Sequence, residues 1–171
     1  MSEVHAATAI RLSSTSAAAT RRLGALFAAL LGPGDVVLLC GGLGAGKTTF
    51  VKGVVTGLGG RADEVTSPTF TLCHLYELKA LVAHVDCWRL EDLREVVDLG
   101  LEEVLDDGGV ALIEWGERAA PLLGRDALVV EFSDPRPGRD QEREIAIRDP
   151  SGRRRRALEQ LASDFRAEEV A

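Results

Sequence analysis

The residues with the clearest chemistry lie at positions 41–48, where the sequence reads GGLGAGKT. This stretch satisfies the pattern G-x-x-x-x-G-K-[ST], in which glycines let the backbone curl until several N–H groups converge on phosphate oxygens. In such a loop Lys47 reaches the β- and γ-phosphates as a point charge, and the Thr48 hydroxyl is a ligand for Mg²⁺. We therefore predict a nucleoside-triphosphate site, and its contacts with the nucleotide are expected from Gly41, Gly44, Ala45, Gly46, Lys47, Thr48 and Thr49.

The nucleotide is predicted to be ATP. P-loop proteins that bind GTP usually recognise guanine through an Asn/Thr-Lys-x-Asp segment, whose aspartate accepts hydrogen bonds from the base. The sequence contains no asparagine and no Thr-Lys pair, so it holds no such segment.

Two carboxylates that end apolar stretches are candidates for holding Mg²⁺. Asp86 ends LVAHVD and Glu114 ends VALIE, and a carboxylate at the end of a buried strand is costly unless it faces a cation. An acid that simply meets solvent is the alternative for each of them. Trp115, taken alone, indicates core packing. His84 shares a strand face with Asp86 and either orients that carboxylate or is an ordinary core histidine.

The elements that position these residues alternate around the glycine loop. The short apolar run at 36–40, rich in β-branched residues, predicts a buried strand directly before the loop, and residues 48–58 predict a helix directly after it. The other elements predicted before residue 70 are a short edge strand at 4–12, a helix at 13–31 capped by Ser13, Ser14 or Thr15, and a polar surface loop at 59–69.

The rest of the chain predicts hairpins, short helices and one more buried strand. These elements are an antiparallel hairpin of residues 70–78 and 80–88, one or two acidic helices within 90–107 broken at Gly100, a strand at 110–114, a second hairpin of residues 127–133 and 143–149 around the loop 134–142, and a helical tail at about 150–171. Together these elements indicate an α/β fold: a single P-loop NTPase-like domain, residues 1–171, in which helices flank a mixed, mainly parallel central sheet in three layers.

The composition argues against several classes of protein. With 46% hydrophobic and 27% charged residues the chain resembles an ordinary globular domain, and no apolar run approaches the roughly 20 residues that span a bilayer. No signal peptide is evident, so we expect a cytoplasmic protein with no membrane contact. The three cysteines lie far apart and predict neither a disulfide framework nor a structural zinc site.

The net charge of −7 argues against general electrostatic binding of a nucleic acid. A local exception is the run of four arginines at 153–156. A solvated face is the preferred interpretation of that run, and contact with RNA or with an acidic partner is the alternative.

Four motifs in order, GGLGAGKTTF, SPTFTL, HVDCWRLED and LIEWGE, resemble the TsaE family, formerly called YjeE. The resemblance runs from about Leu23 to Glu117 and more weakly to Arg143. Members of that family are small bacterial ATPases required for making threonylcarbamoyladenosine in tRNA. The resemblance implies a Mg²⁺-dependent subunit that binds and hydrolyses ATP and acts as a nucleotide switch on the TsaB–TsaD complex, with tRNA engaged only indirectly.

The resemblance also implies roles for individual residues around the phosphates. Lys47, Asp86 and Glu114 are implied to be catalytic, with Asp86 as a second acid essential to turnover. The implied metal ligands are Thr48, Glu114 and Asp86. Trp115 is implied to pack beside the site or to face a partner.

Further implied contacts with the nucleotide come from outside the glycine loop. The residues 67–69 are implied to form a switch-like loop that senses the γ-phosphate, with Ser67 and Thr69 as its contacts. Thr20, in the first helix, matches a threonine near the nucleotide. On the last hairpin, Arg139 or Arg143 is implied to reach the base or the ribose.

The chain departs from the family pattern at two positions. Gly42 stands where an aspartate is common, and Trp88 stands where tyrosine is common, which keeps an aromatic ring and loses a hydroxyl. A small-molecule kinase remains the alternative function, since it uses the same phosphate loop. The segment 89–105 is acidic, which argues against a phosphate-covering lid there. A nucleotide-binding regulator without turnover is a third hypothesis.

Overall fold

A computed structural model describes residues 8–135 and 137–169, without the side chains of residues 168 and 169. Its strands are β1 Thr8–Ser14, β2 Val36–Cys40, β3 Cys73–Glu77, β4 Leu81–Asp86, β5 Val110–Glu114, β6 Leu128–Phe132 and β7 Arg143–Asp149. They form one sheet in the order β1-β7-β6-β2-β5-β4-β3. The central strands β6, β2, β5 and β4 are parallel, whereas β1, β7 and β3 join the edges in antiparallel pairs.

Helices cover both faces of this sheet. They are α1 Ala17–Phe27, α2 Lys47–Gly57, α3 Leu93–Asp98, α4 Leu101–Asp106, α5 Gly116–Leu123 and α6 Arg155–Glu169, with short 3₁₀ turns at Ala28–Leu30 and Ala62–Glu64. Side chains of β2 alternate between the two faces: Val37 and Leu39 belong to the core under α1, α2 and α6, and Leu38 belongs to the core under α3, α4 and α5. The three-layer fold class predicted from the sequence is confirmed.

The predicted hairpins and helix break are also present. β3 pairs with β4 and β6 pairs with β7, both antiparallel. Gly100 separates α3 from α4 with a φ of 69°, a left-handed conformation that favours glycine. None of the helices in the described part of the chain has the length and apolarity needed to cross a membrane.

The start of α1 differs from the prediction. The cap is Ser16, whose side chain accepts a hydrogen bond from the backbone N–H of Ala19 at 3.1 Å, so Ser13, Ser14 and Thr15 were wrong as caps. Ser13 and Ser14 belong to β1, where they pair with Glu144 and Arg143 of β7. The edge strand predicted at 4–12 appears as β1, and its first part, residues 4–7, lies outside the described residues.

The helix α5 was not predicted. Pro121 lies inside it and lacks the N–H that a helix interior uses, which weakens the sequence signal. Its first residue, Gly116, lies so close to β2 that a Cβ there would be 2.6 Å from the Cβ of Leu38. The absence of a side chain thus brings the helix against the sheet at the end of β5.

The helix α6 is part of the core. Leu158 and Phe165 are fully buried in the cluster under α1, and the predicted helical tail is present up to Glu169, with residues 170 and 171 outside the described range. Of the four arginines, Arg154 is half-buried and donates to both carboxylate oxygens of Asp35, at 2.6 and 2.7 Å. For Arg154, therefore, the solvated-face interpretation was wrong.

Candidate nucleotide-binding site

The glycine loop joins the end of β2 to the first residue of α2. Gly46 precedes the helix with a φ of 111°, and Gly41 has a φ of 145° at a position where a Cβ would lie 2.8 Å from the carbonyl oxygen of Phe132. Both conformations favour glycine, which explains why the loop needs these residues. The N-terminus of α2 therefore points its free N–H groups and positive end at whatever anion occupies the loop.

A cleft of about 330 Å³ opens beside this loop. The sequence-predicted residues that line it are Gly44, Ala45, Gly46, Lys47, Thr48, Thr49, Ser67, Thr69, Asp86, Glu114 and Trp115. Leu43 and Trp88 complete the lining and were not among the predicted contacts. The carboxyl ends of parallel strands explain this convergence, because Glu114 is paired with both Leu39 at the end of β2 and Asp86 at the end of β4.

The Glu114 carboxylate joins the glycine loop to β4. It is buried, and its Oε1 accepts a hydrogen bond from the Thr48 hydroxyl at 2.7 Å. His84 Nε2 lies 2.8 Å from the same oxygen. Carboxylates and a hydroxyl are the hard oxygen ligands that Mg²⁺ takes, so the oxygen donors of Thr48, Glu114 and Asp86 suit that cation chemically.

The Asp86 carboxylate holds the loop that contains Ser67 and Thr69. Its Oδ2 accepts from the Thr69 hydroxyl at 2.7 Å and from the Ser67 hydroxyl at 3.3 Å, while its Oδ1 accepts from the backbone N–H of Trp88 at 2.8 Å. The predicted switch-like loop and the predicted second acid are thus in direct contact. In this conformation Asp86 anchors the loop through Oδ2, while Oδ1 is held by the chain that follows β4.

Lys47 is held by its own loop. Its Nζ donates to the carbonyl oxygens of Gly41 at 2.6 Å and Gly42 at 2.7 Å, and it lies 3.9 Å from the centre of the Trp115 ring. Burial lowers the pKa of Lys47 below its ordinary value, although the charge of Glu114 acts in the opposite direction. The ammonium therefore has to exchange these contacts to reach a phosphate.

Trp115 contributes to the site in addition to packing. Its backbone has a φ of 56°, a left-handed conformation that costs a side-chain-bearing residue roughly 1–2 kcal/mol. This turn directs the chain from β5 into α5. The indole also lies against the ring of Trp88, with centroids 4.4 Å apart. The interpretation of Trp115 as simple core packing is too narrow, because the residue lines the cleft and contacts Lys47.

A second cavity, of about 200 Å³, also borders the glycine loop. Thr20 lines it together with Thr49 and Arg143, and the Thr20 hydroxyl lies 2.8 Å from that of Ser14. Arg143 donates from Nε to the carbonyl oxygen of Ala45 and from Nη2 to that of Gly44, both at 3.0 Å. Its guanidinium therefore braces the glycine loop from outside.

Two other polar residues, Asp140 and Gln141, line the second cavity. They were not predicted, although they lie close to Arg143 in the sequence. Arg139 is 63% exposed, pairs with Glu142 at 3.0 Å and lines neither cavity. Of the two arginines considered, the fold thus brings Arg143 to the loop.

The glycine at position 42 lies against the side chain of Asp134. A Cβ there would lie 2.5 Å from Oδ1 of Asp134, which follows β6. An aspartate at position 42, common in the family that the sequence resembles, would therefore require Asp134 to move.

Comparison with known proteins identifies the family. A family model described as the threonylcarbamoyl adenosine biosynthesis protein TsaE matches residues 14–145. The chain belongs to the TsaE family. The tRNA threonylcarbamoyladenosine biosynthesis protein TsaE of Treponema pallidum is 42% identical over 138 residues, which cover 81% of this chain and 99% of that protein. The protein of the same name from Bacillus subtilis is 41% identical over 144 residues, with coverages of 84% and 87%.

A solved structure agrees with this assignment. The crystal structure of YdiB from Bacillus subtilis superposes with a TM-score of 0.73 at 31% identity, covering 94% of this chain and 98% of that chain. The resemblance to the TsaE family predicted from the sequence motifs is thereby confirmed. The matched region includes both cavities, from Thr20 to Arg143, and ends before α6.

Proposed function

We propose that this TsaE-family chain is a Mg²⁺-dependent ATP-binding and ATP-hydrolysing subunit that serves the biosynthesis of threonylcarbamoyladenosine in tRNA. The observation that carries the proposal is the convergence of Lys47, Thr48, Glu114 and Asp86 on one cleft beside a glycine loop. This role belongs in the cytoplasm, where tRNA is modified.

Each of these groups has a definite task in the proposed reaction. The N–H groups of the glycine loop and the Lys47 ammonium bind the phosphates, and the Thr48 hydroxyl and Glu114 carboxylate hold Mg²⁺ or its waters. When bound, Mg²⁺ would supply positive charge that offsets the negative charge of the phosphates. Asp86 keeps Thr69 at the same cleft, so the loop lies where the terminal phosphate is expected.

The partners proposed for this activity are the TsaB and TsaD proteins, with tRNA reached only through their complex. Large apolar side chains are exposed around the cleft: Leu43 at 85%, Phe70 at 82% and Trp88 at 45%. Exposed apolar groups grouped at one site are typical of surfaces that a partner covers. We expect slow turnover by the isolated chain and faster turnover once a partner orders the cleft or supplies an arginine.

A small-molecule kinase is not favoured by the fold. A kinase of this class needs a segment that covers the phosphates and an acceptor. The candidate segment, residues 89–105, instead forms α3 and α4, whose Val96 and Leu101 are buried against the sheet.

The test is ATP turnover by the purified chain, alone and with the TsaB–TsaD pair. Glu114→Ala removes a carboxylate that lines the cleft, and Glu102→Ala is the matched control because Glu102 is exposed and lines neither cavity. We expect partner-stimulated turnover that Glu114→Ala lowers at least about 100-fold, because the carboxylate proposed to hold the charge-stabilising Mg²⁺ is lost, while Glu102→Ala has little effect. Equal turnover in wild type and Glu114→Ala, or transfer of phosphate to a small acceptor, would refute the proposal.

A further inference from the structure

His84 is fully buried in β4, between an aromatic side chain on β3 and a carboxylate on β5. The ring of Tyr76 on β3 is stacked on it, with centroids 6.3 Å apart. On the other side His84 reaches diagonally across to β5, where its Nε2 lies 2.8 Å from Oε1 of Glu114. Of the two alternatives that the sequence left open for His84, the orientation of Asp86 is wrong, since the contact is with the other carboxylate.

The hydrogen bond determines which ring nitrogen carries the proton. An ionised carboxylate only accepts hydrogen bonds, so His84 donates from Nε2. In the neutral ring Nδ1 is then the lone-pair nitrogen, and it is buried without a hydrogen-bond partner among the residues that the structure describes. A buried polar atom without a partner destabilises the fold, so packing alone does not explain a histidine here.

The contact fixes the orientation of the Glu114 carboxylate. Thr48, on α2, and His84, on β4, both donate to Oε1. Among the described residues no hydrogen bond ends on Oε2, and Glu114 lines the cleft. Two donors on one oxygen leave the second oxygen for a cation or for one of its waters.

We propose that His84 is a positioning residue for Glu114: its Nε2–H holds the carboxylate so that Oε2 faces the Mg²⁺ ion of the bound nucleotide. Partners that hold a metal-binding side chain in one orientation commonly change metal affinity by about 10- to 100-fold. The inference rests on the proposed function, because it assumes that Glu114 acts on Mg²⁺.

The experiment compares His84→Gln, His84→Leu and a matched control. Glutamine places an amide N–H close to the position of the histidine Nε2, whereas leucine fills the space without a donor. The control is His74→Leu, because His74 is the register partner of His84 in the hairpin but bonds the Thr71 hydroxyl. Calorimetry measures the dissociation constant of a non-hydrolysable ATP analogue in excess Mg²⁺ and in EDTA, and the ratio of the two reports the Mg²⁺ contribution.

We expect His84→Leu to reduce this ratio by about tenfold or more, with binding in EDTA unchanged. His84→Gln should recover most of the loss, and His74→Leu should match the wild type. A wild-type ratio in folded His84→Leu would overturn the proposal, and so would equal losses in His84→Leu and His84→Gln, since the shape of the ring would then matter and the donor would not.

A failure of the variant to fold and a failure of the proposed function can each be told apart from a failure of this inference. If His84→Leu does not fold, His84→Asn takes its place: its shorter amide cannot reach Glu114, so it should lose the Mg²⁺ contribution that His84→Gln keeps, and equal ratios in the two would overturn the inference. If the wild-type chain itself binds the analogue equally with and without Mg²⁺, the proposed function fails, and the inference fails with it.

Discussion

Replacing Thr69 with valine removes one hydroxyl from the loop at the cleft and leaves the shape of the side chain almost unchanged. The Thr69 hydroxyl donates to Oδ2 of Asp86 at 2.7 Å, and the Ser67 hydroxyl reaches the same oxygen at a longer 3.3 Å. A hydrogen bond to a charged group contributes about 1.5–3 kcal/mol. Since Ser67 remains as a partial substitute, we expect a value at the low end of this range. The closed loop, anchored to Asp86, should become less stable relative to the open loop by about 1.5 kcal/mol.

This loss corresponds to about a tenfold increase in the fraction of time the loop is open. Hydrogen exchange reports that fraction directly when exchange proceeds through local opening. The amide of Leu72 is the reporter, because it donates to the carbonyl oxygen of Pro68 at 2.6 Å within the same loop. Its exchange rate should rise about tenfold in Thr69→Val, and ATP turnover should fall, because the loop lines the cleft.

The matched control is Thr71→Val. Thr71 lies just after the loop, and its hydroxyl is 2.7 Å from His74 Nε2 and 3.5 Å from the carbonyl oxygen of Pro68, a distance at which it contributes little, and it does not bond Asp86. Unchanged exchange at Leu72 in Thr69→Val would refute the anchoring role of Asp86. An equal increase in Thr71→Val would also refute it, because any lost hydroxyl would then loosen the loop.

Two predictions concern how α6 is attached. Burial alone raises the pKa of Asp149, but hydrogen bonds from Ser151 and from the N–H of Arg154 outweigh it and hold the pKa below its ordinary value. The ionised carboxylate therefore stabilises the fold at any pH above the ordinary carboxyl pKa of about 3.9. That stabilisation is lost as the pH falls through the lower pKa of the folded state. Asp149→Asn should therefore lower the melting temperature at pH 7, and the difference from wild type should shrink towards pH 3 in thermal melts; a constant difference would contradict this. Arg154→Met should lower the free energy of unfolding, measured with urea, by about 2 kcal/mol, because it leaves the half-buried Asp35 without its cation. This value lies between those for surface and for fully buried ion pairs. Arg156→Met, at an exposed position in the same run, is the control and should change stability little, and equal losses in the two variants would argue against the pair.

The parts of the fold that the sequence predicted well are those set by local pattern. The buried strands β2 and β5, the hairpin of β3 and β4 and the helix break at Gly100 follow from apolar runs, short connections and a glycine in the left-handed region. The glycine loop could be predicted from the sequence for the same reason, since its conformation depends on its own residues.

The parts that were mispredicted depend on partners distant in sequence. Ser13 and Ser14 read as helix caps, but pairing with β7 more than a hundred residues later draws them into β1, and Ser16 takes the cap. The helix α5 was missed because Pro121 weakens its local signal, while its position is fixed by contact of Gly116 with Leu38. Neither effect is visible in a window of neighbouring residues.

The site shows the same division between local and distant causes. The spacing of His84 and Asp86 correctly placed both on one face of β4, because side chains alternate along a strand. Which carboxylate the histidine contacts depends on the register of β4 against β5, which sets Asp86 opposite Glu114 and brings His84 within hydrogen-bond distance of Glu114. That register follows from a sheet in which β5 lies between β2 and β4, so the residue that orients Glu114 becomes identifiable only once the strand order is known.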